Sequence, residues 1–220
     1  MKQIENELKI LITENTYRHL AKLANDKGGI TVVQTNYYFD TADFFMYRHK
    51  KALRIREKNQ KYVLTLKAGR RKDGSYQTSD EYSYPLTEDQ AKDVLSGRLP
   101  LLSCFPDSTA KEFLPKDNAL IYRGYMTTKR TLFAPVPNLR PLEIDQNDYL
   151  GFRDYELEWE FEKEEDRFFI LPLLKDFGID PLFLPSRSKF GRFMERLIAQ
   201  KEQTLPRDNR NKFSTKKETG

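Results

Sequence analysis

The sequence predicts an α+β fold in which eight β-strands close into a barrel, with helices packed outside and a C-terminal helix near the tunnel mouth. Three observations carry this expectation. Eight segments alternate with the two-residue rhythm of strands. Several have one apolar face and one charged face, and the charges segregate by sign: carboxylates on the first and last strands, basic groups on the middle ones. Four glutamates (Glu156, Glu158, Glu160, Glu162) share one face of the last strand, where they repel each other unless cations lie close. Eight strands suffice to close a barrel that holds side chains or one small ligand. Burying its charged faces is prohibitive unless a highly charged ligand and metal ions share the interior. A triphosphate with divalent cations meets that requirement.

Residues 4–10 form the first strand. Glu5, Glu7 and Lys9 line one face and Ile4, Leu8 and Ile10 the other, so two carboxylates and a lysine are set to hold a divalent cation beside an anion. Taken alone, the segment reads more simply as a half-exposed strand with a solvated charged face. Thr13 caps a helix over 14–26 that Gly28-Gly29 stops, with Leu20, Leu23 and Ala24 as its apolar stripe. A strand over 35–39 leads into an Asp40-Thr41 turn that caps a short helix over 42–48. Residues 52–58 set Arg54, Arg56 and Lys58 on one face, and Asn59-Gln60 turns them into a partner strand over 61–68. A basic loop, 69–74, reads as a solvated turn.

Strand 76–84 carries Glu81 on the face of Gln77, Ser79 and Ser83, and Thr87-Glu88-Asp89-Gln90 is a capping box opening a helix to Ser96. The proline-containing stretch 98–118 is irregular, with one short helix. Strands over 120–133, 139–146 and 153–162 complete the eight. Residues 164–177 are helical, with Pro172 kinking that helix or shifting its start, and Ser186 caps a last helix through Gln200. Residues 1–200 thus make one domain, and 201–220 a polar, basic, solvated tail. His19 and His49 read as surface or boundary residues, since a lone histidine is a weak metal signal.

The charge distribution narrows the function classes. Of the net +5, the tail contributes +3 from six basic and three acidic side chains, leaving +2 on residues 1–200. So balanced a body argues against a general nucleic-acid binder. An RNA-binding barrel, suggested by the tyrosines and the basic tail, is opposed by the glutamate-rich strand. Cys104 is alone and forms no intramolecular disulfide, which fits a reducing compartment. No apolar run approaches the ~20 residues of a membrane span, and the N-terminus lacks a signal-peptide core. These features together lead to the expectation of a cytoplasmic protein without membrane contact. An exposed strand edge or aromatic patch would allow a homodimer.

Seven segments occur in a telling order: Glu5-x-Glu7-x-Lys9, Tyr38-Phe39-Asp40-Thr41, Leu53-Arg54-Ile55-Arg56, Leu64-Thr65-Leu66-Lys67, Thr128-x-Arg130, Leu142-Glu143-Ile144-Asp145 and Tyr155-Glu156-Leu157-Glu158. Together they resemble the CYTH domain of the triphosphate tunnel metalloenzyme superfamily, in particular its small single-domain members from Gram-positive bacteria. The resemblance covers roughly residues 1–200. It implies an antiparallel eight-stranded tunnel that binds a triphosphate with Mg²⁺ or Mn²⁺.

Carried over by position, the resemblance makes Glu5, Glu7, Glu156 and Glu158 metal-binding carboxylates, with Asp145 a fifth. Lys9, Arg54, Arg56, Lys67 and Arg130 become the phosphate-holding residues, and Lys189 matches a lysine near the family's C-terminus. Glu5, Glu7 and Lys67 form the expected catalytic set, with Glu81 and Glu143 as supporting or alternative ligands. Two departures are Pro172 and Arg192, the latter a competing cation one turn after Lys189. The implied reaction is hydrolysis of a triphosphate, most simply inorganic tripolyphosphate. The alternatives are cyclisation of ATP, as in class IV adenylyl cyclases, and non-catalytic binding of polyphosphate or nucleotide.

Overall fold

Strands β1 (Lys2–Ile12), β2 (Ile30–Asp40), β3 (Ala52–Lys58), β4 (Lys61–Asp73), β5 (Tyr76–Leu86), β6 (Ile121–Phe133), β7 (Leu142–Tyr149) and β8 (Phe152–Phe161) form one sheet in a computed structural model of the protein. It describes residues 2–73, 76–106, 112–115, 119–179 and 187–204. The strands close in the order β1-β5-β4-β3-β2-β6-β7-β8, and every neighbouring pair is antiparallel. Helices α1 (Glu14–Asp26), α2 (Phe45–Arg48), α3 (Glu88–Leu95), α4 (Arg167–Asp176) and α5 (Lys189–Thr204) pack around the barrel, with 3₁₀ turns at Leu101–Cys104 and Glu164–Asp166.

Both faces of the strands are used, which explains their strict alternation. Outward apolar side chains of β1, β7 and β8 (Leu8, Ile10, Ile144, Leu157) meet Leu20 and Ala24 of α1 and Ile170 and Leu174 of α4 in one core. Leu53, Ile55, Leu64 and Leu66 of β3 and β4 join Ala91 and Val94 of α3 in a second. Each such leucine, isoleucine or valine side chain contributes about 1.5–3 kcal/mol when fully buried. The charged faces consequently turn inward, as the sign pattern predicts.

The caps act as their sequences imply. The Thr13 hydroxyl accepts from Thr16 N at 3.2 Å. Thr87 and Gln90 exchange both capping-box bonds, at 3.1 and 3.0 Å. Asp40 is buried and structural: its carboxylate accepts from the backbone N–H of Thr41, Met46 and Tyr47 at 2.7, 2.8 and 3.0 Å, anchoring α2.

Several expectations are corrected. The basic stretch expected as a loop is strand: β4 continues to Asp73 across a bulge between Ala68 and Arg71. Gly69 has φ +63 there, a left-handed conformation that lets the chain absorb the extra residue without leaving the sheet. Strand β2 starts five residues earlier than its expected start at Thr35, since the run 30–34 pairs with β6 throughout. The short helix begins at Phe45, not residue 42, because Phe44 sits at φ 62. Strand β7 starts at Leu142, and β8 ends at Phe161, leaving Glu162 exposed and outside the glutamate row. Pro172 lies inside α4, and the helix start shifts to Arg167 behind a 3₁₀ turn. Helix α5 runs to Thr204, so the first residues expected as tail are helical. The proposed Ser186 cap and residues 205–220 lie outside the described residues.

Candidate active site

Inward alternation delivers the site residues from almost every strand. On β1 these are Glu5, Glu7 and Lys9, on β3 Arg54 and Arg56, and on β4 Lys67. Arg130 of β6, Glu143 of β7 and Glu158 of β8 face them, and the start of α5 closes the wall with Lys189. The enclosed cavity is about 60 Å³, space for only a few waters, because acids and bases fill the tunnel by reaching across it.

Their pairing is dense. Lys67 contacts Glu5, and Glu81 at 3.4 Å. Lys9 contacts Glu158, and Glu7 at 3.2 Å. Arg130 donates to Asp145 at 2.8 and 2.6 Å and to Glu158 at 2.7 Å, and also meets Glu143. Lys189 reaches Asp145, Glu156 and Glu158 at 2.8, 2.7 and 2.9 Å. Arg192, the competing cation, grips Asp154 at 2.7 Å and Glu156 at 3.0 Å.

Two guanidinium groups stand apart. Arg54 reaches Glu81 only at 3.6 Å, and its buried Nε has no hydrogen-bond partner among the described residues. Arg56 donates from Nε to Asn36 Oδ1 at 3.0 Å, and among the described residues no carboxylate lies within salt-bridge distance of it. Burial, with Arg54 and Arg130 nearby, lowers the Arg56 pKa to about 10. A guanidinium held so far below its ordinary value is short of negative charge.

The carboxylates behave as the opposite wall. Burial would raise Glu7, yet the charges of Lys9 and Lys67 hold it below its ordinary value. Burial likewise disfavours charge on Glu156, but Arg192 and Lys189 bring it to about 2. Lys67, opposed by burial, is raised by Glu7, Glu5 and Glu81 and stays protonated. Glu143 goes the other way: burial lifts it to about 7, with Glu158 and Asp145 adding to burial against the pull of Arg130. Glu143, Asp145 and Glu158 bring oxygens within 4.8 Å of one another. Hard oxygen donors in that number, crowded enough to raise one of their pKa values, fit a hard divalent cation.

The structure thus brings together the residues expected from sequence, with two differences in emphasis. The tightest carboxylate group contains Glu143, expected as a supporting ligand, while Glu5 and Glu7 are engaged by Lys67 and Lys9 and Glu156 by Lys189 and Arg192. Asp154, and Gln34 and Asn36 of β2, were not anticipated. Asp154 continues the i, i+2 series of Glu156 and Glu158, so the alternation contained it. Gln34 fell outside the expected strand limits.

This geometry has counterparts. The CYTH domain family matches residues 3–178. The chain belongs to the CYTH domain family. It is 30% identical over 198 residues to the Bacillus subtilis (strain 168) protein YjbK, described as a candidate triphosphatase, covering 88% of this chain and 95% of that protein. A Bacillus halodurans structure described as a candidate adenylate cyclase superposes with a TM-score of 0.72 at 29% identity, over 87% of this chain and 98% of that one. HpAC1 of Hippeastrum, a candidate adenylyl cyclase described as revealing a dominant triphosphatase activity, superposes at 0.73 and 25% identity, over 87% and 95% of the two chains. Lys189 and Arg192 lie beyond the stretch matched by the CYTH family, yet both are tied to its carboxylates.

Proposed function

We propose that this CYTH protein hydrolyses a triphosphate inside its tunnel, with inorganic tripolyphosphate the simplest substrate. The observation that carries this reading is the pair of half-buried guanidinium groups, Arg54 and Arg56, poorly compensated within a closed barrel. A planar guanidinium fork suits bidentate phosphate contacts, and lysines act as point charges. Arg54, Arg56 and Arg130 hold the phosphoryl oxygens, and Lys9 and Lys189 neutralise charge beside them.

Glu143, Asp145 and Glu158, joined by Glu5, Glu7 and Glu156 as ion pairs open, would hold the divalent cation, Mg²⁺ or Mn²⁺. When bound, it supplies charge neutralisation on phosphate oxygens and a lower pKa for water. Glu7, kept ionised by Lys9 and Lys67, accepts the proton as the water oxygen bonds to a terminal phosphorus. The bridging P–O bond breaks, and protonated Lys67 stabilises the charge left on the departing diphosphate. Products are diphosphate and orthophosphate. Little beyond in-line placement and charge stabilisation is needed.

Phosphate release from tripolyphosphate, measured with Mg²⁺ and with Mn²⁺, tests this. Glu7→Gln and Arg56→Ala are expected to abolish most turnover while circular dichroism stays native; unchanged turnover in both overturns the reading. The Bacillus halodurans relative favours a second reaction, cyclisation of ATP. Products from ATP separate the two: ADP and phosphate for hydrolysis, cyclic AMP and pyrophosphate for cyclisation.

A further inference from the structure

A second cavity, of about 240 Å³, adjoins the tunnel and shares Arg56, Arg130, Glu143 and Glu160 with its wall. Gln34, Lys58 and Arg140 supply the rest of its polar lining. Gln34 is 2% exposed, and its amide Nε2 has no hydrogen-bond partner among the described residues. Leaving such a donor buried and unpaired costs about 1–3 kcal/mol. Two residues along the same face of β2, Asn36 Nδ2 is also buried and unpartnered, while its Oδ1 accepts from Arg56. Among the described residues Lys58 has no carboxylate within salt-bridge distance, and Arg140 is held only loosely, at 3.4 and 3.6 Å from Glu160 and Glu162.

The donor set is amide N–H, ammonium and guanidinium, which is phosphate-binding chemistry. Among the described residues no aromatic ring lines this mouth, so a nucleobase would find nothing there to stack on. A different groove beside the start of α5 combines Tyr47 and Phe190 with Arg48, Arg71 and Arg187. The two openings are chemically distinct, and the aromatic-free one suits a bare phosphate end.

We propose that Gln34, with Lys58 and Arg140, forms a subsite for one further phosphate, so that linear inorganic chains longer than tripolyphosphate are substrates of choice. This rests on the hydrolase reading above and specifies its substrate class. Gln34 is a specificity-determining residue in this arrangement: it meets the chain beyond the reacting bond.

The test compares tetrapolyphosphate with tripolyphosphate in the wild-type protein and in Gln34→Met and Lys58→Met, the second at a half-buried position that tolerates change. The wild-type kcat/KM is expected to be higher for tetrapolyphosphate. The tetrapolyphosphate-to-tripolyphosphate ratio is expected to fall about 10-fold in Gln34→Met, mainly through KM, with a smaller fall in Lys58→Met. A ratio unchanged in both variants overturns the subsite, as does a wild-type protein that hydrolyses tripolyphosphate and refuses the longer chain. Either of these results leaves the hydrolase reading standing. Should neither chain turn over, that reading fails, and calorimetric affinities decide the subsite separately. Equal tetra-to-tri affinity ratios in wild type and Gln34→Met then overturn it.

Discussion

Arg130 and Arg56 face the same tunnel, and their truncation has opposite consequences. Arg130 is bonded to Asp145, Glu158 and Glu143. Arg130→Ala strands Glu143 and leaves Asp145 and Glu158 to Lys189 and Lys9 alone, and the expected loss is about 3 kcal/mol of stability, read from urea midpoints and partly recovered in excess Mg²⁺. Arg56→Ala removes a cation that its neighbours repel and strands no carboxylate. Its stability is expected to change by less than ~1 kcal/mol, while kcat/KM for tripolyphosphate falls about 10- to 100-fold.

Glu81 adds a pH dependence. Burial would raise it, but Lys67 and Arg54 hold it at about 2. A carboxyl depressed on folding contributes stability that is present above its unfolded pKa of ~4.3 and lost as pH falls through the folded value. Wild-type urea midpoints are expected to drop between pH 5 and pH 2, and Glu81→Gln to flatten that drop. Equal slopes would remove Glu81 from the account.

At the level of elements, α5 depends on one glycine of β6. Gly124 has φ +129, and a Cβ there would sit 2.9 Å from Phe193 Cζ. Phe193 and Phe190 pack on Tyr38 with ring centroids 4.9 and 5.3 Å away, which seats the helix that carries Lys189. Gly124→Ala is therefore expected to cost about 1–3 kcal/mol and to lower kcat by withdrawing Lys189 from Asp145, Glu156 and Glu158. Phe193→Leu in the same chain should restore part of the melting temperature, a non-additivity that strain elsewhere would not give. This element also marks the limit of sequence reasoning. Glu5-x-Glu7-x-Lys9 and Arg54-x-Arg56 were legible because a two-residue period is written locally. The seat of α5 was not, since Gly124 and Phe193 meet only after the barrel has closed. The bulge at Gly69 hid the end of β4 for a related reason: one extra residue breaks the alternation while the pairing continues.

For the whole molecule, the tunnel is spanned by ion pairs among its own side chains. Lys9 lies on Glu158, Lys67 on Glu5, and Arg130 and Lys189 on the β7 and β8 carboxylates. A polyphosphate that takes up these cations releases carboxylates into a buried space, where unpaired charge is costly. Only a divalent cation in the same space removes that cost, so anion and metal each make room for the other. Binding should be positively coupled, and linkage requires the coupling factor to be the same from either side. Calorimetry on the wild-type protein with a non-hydrolysable imido analogue of tripolyphosphate is expected to show Mg²⁺ raising the analogue's affinity about 10-fold or more, a coupling of about 1–3 kcal/mol. The analogue should raise Mg²⁺ affinity by the same factor after correction for their complex in solution. Melting temperature supplies an independent reading: each ligand alone at about 100 times its own Kd gives a rise of roughly 5–11 °C, and both together give more than the sum of the two. Independent binding, with shifts that merely add, would mean that the ion pairs across the tunnel do not open on binding, and the charged interior would need another explanation.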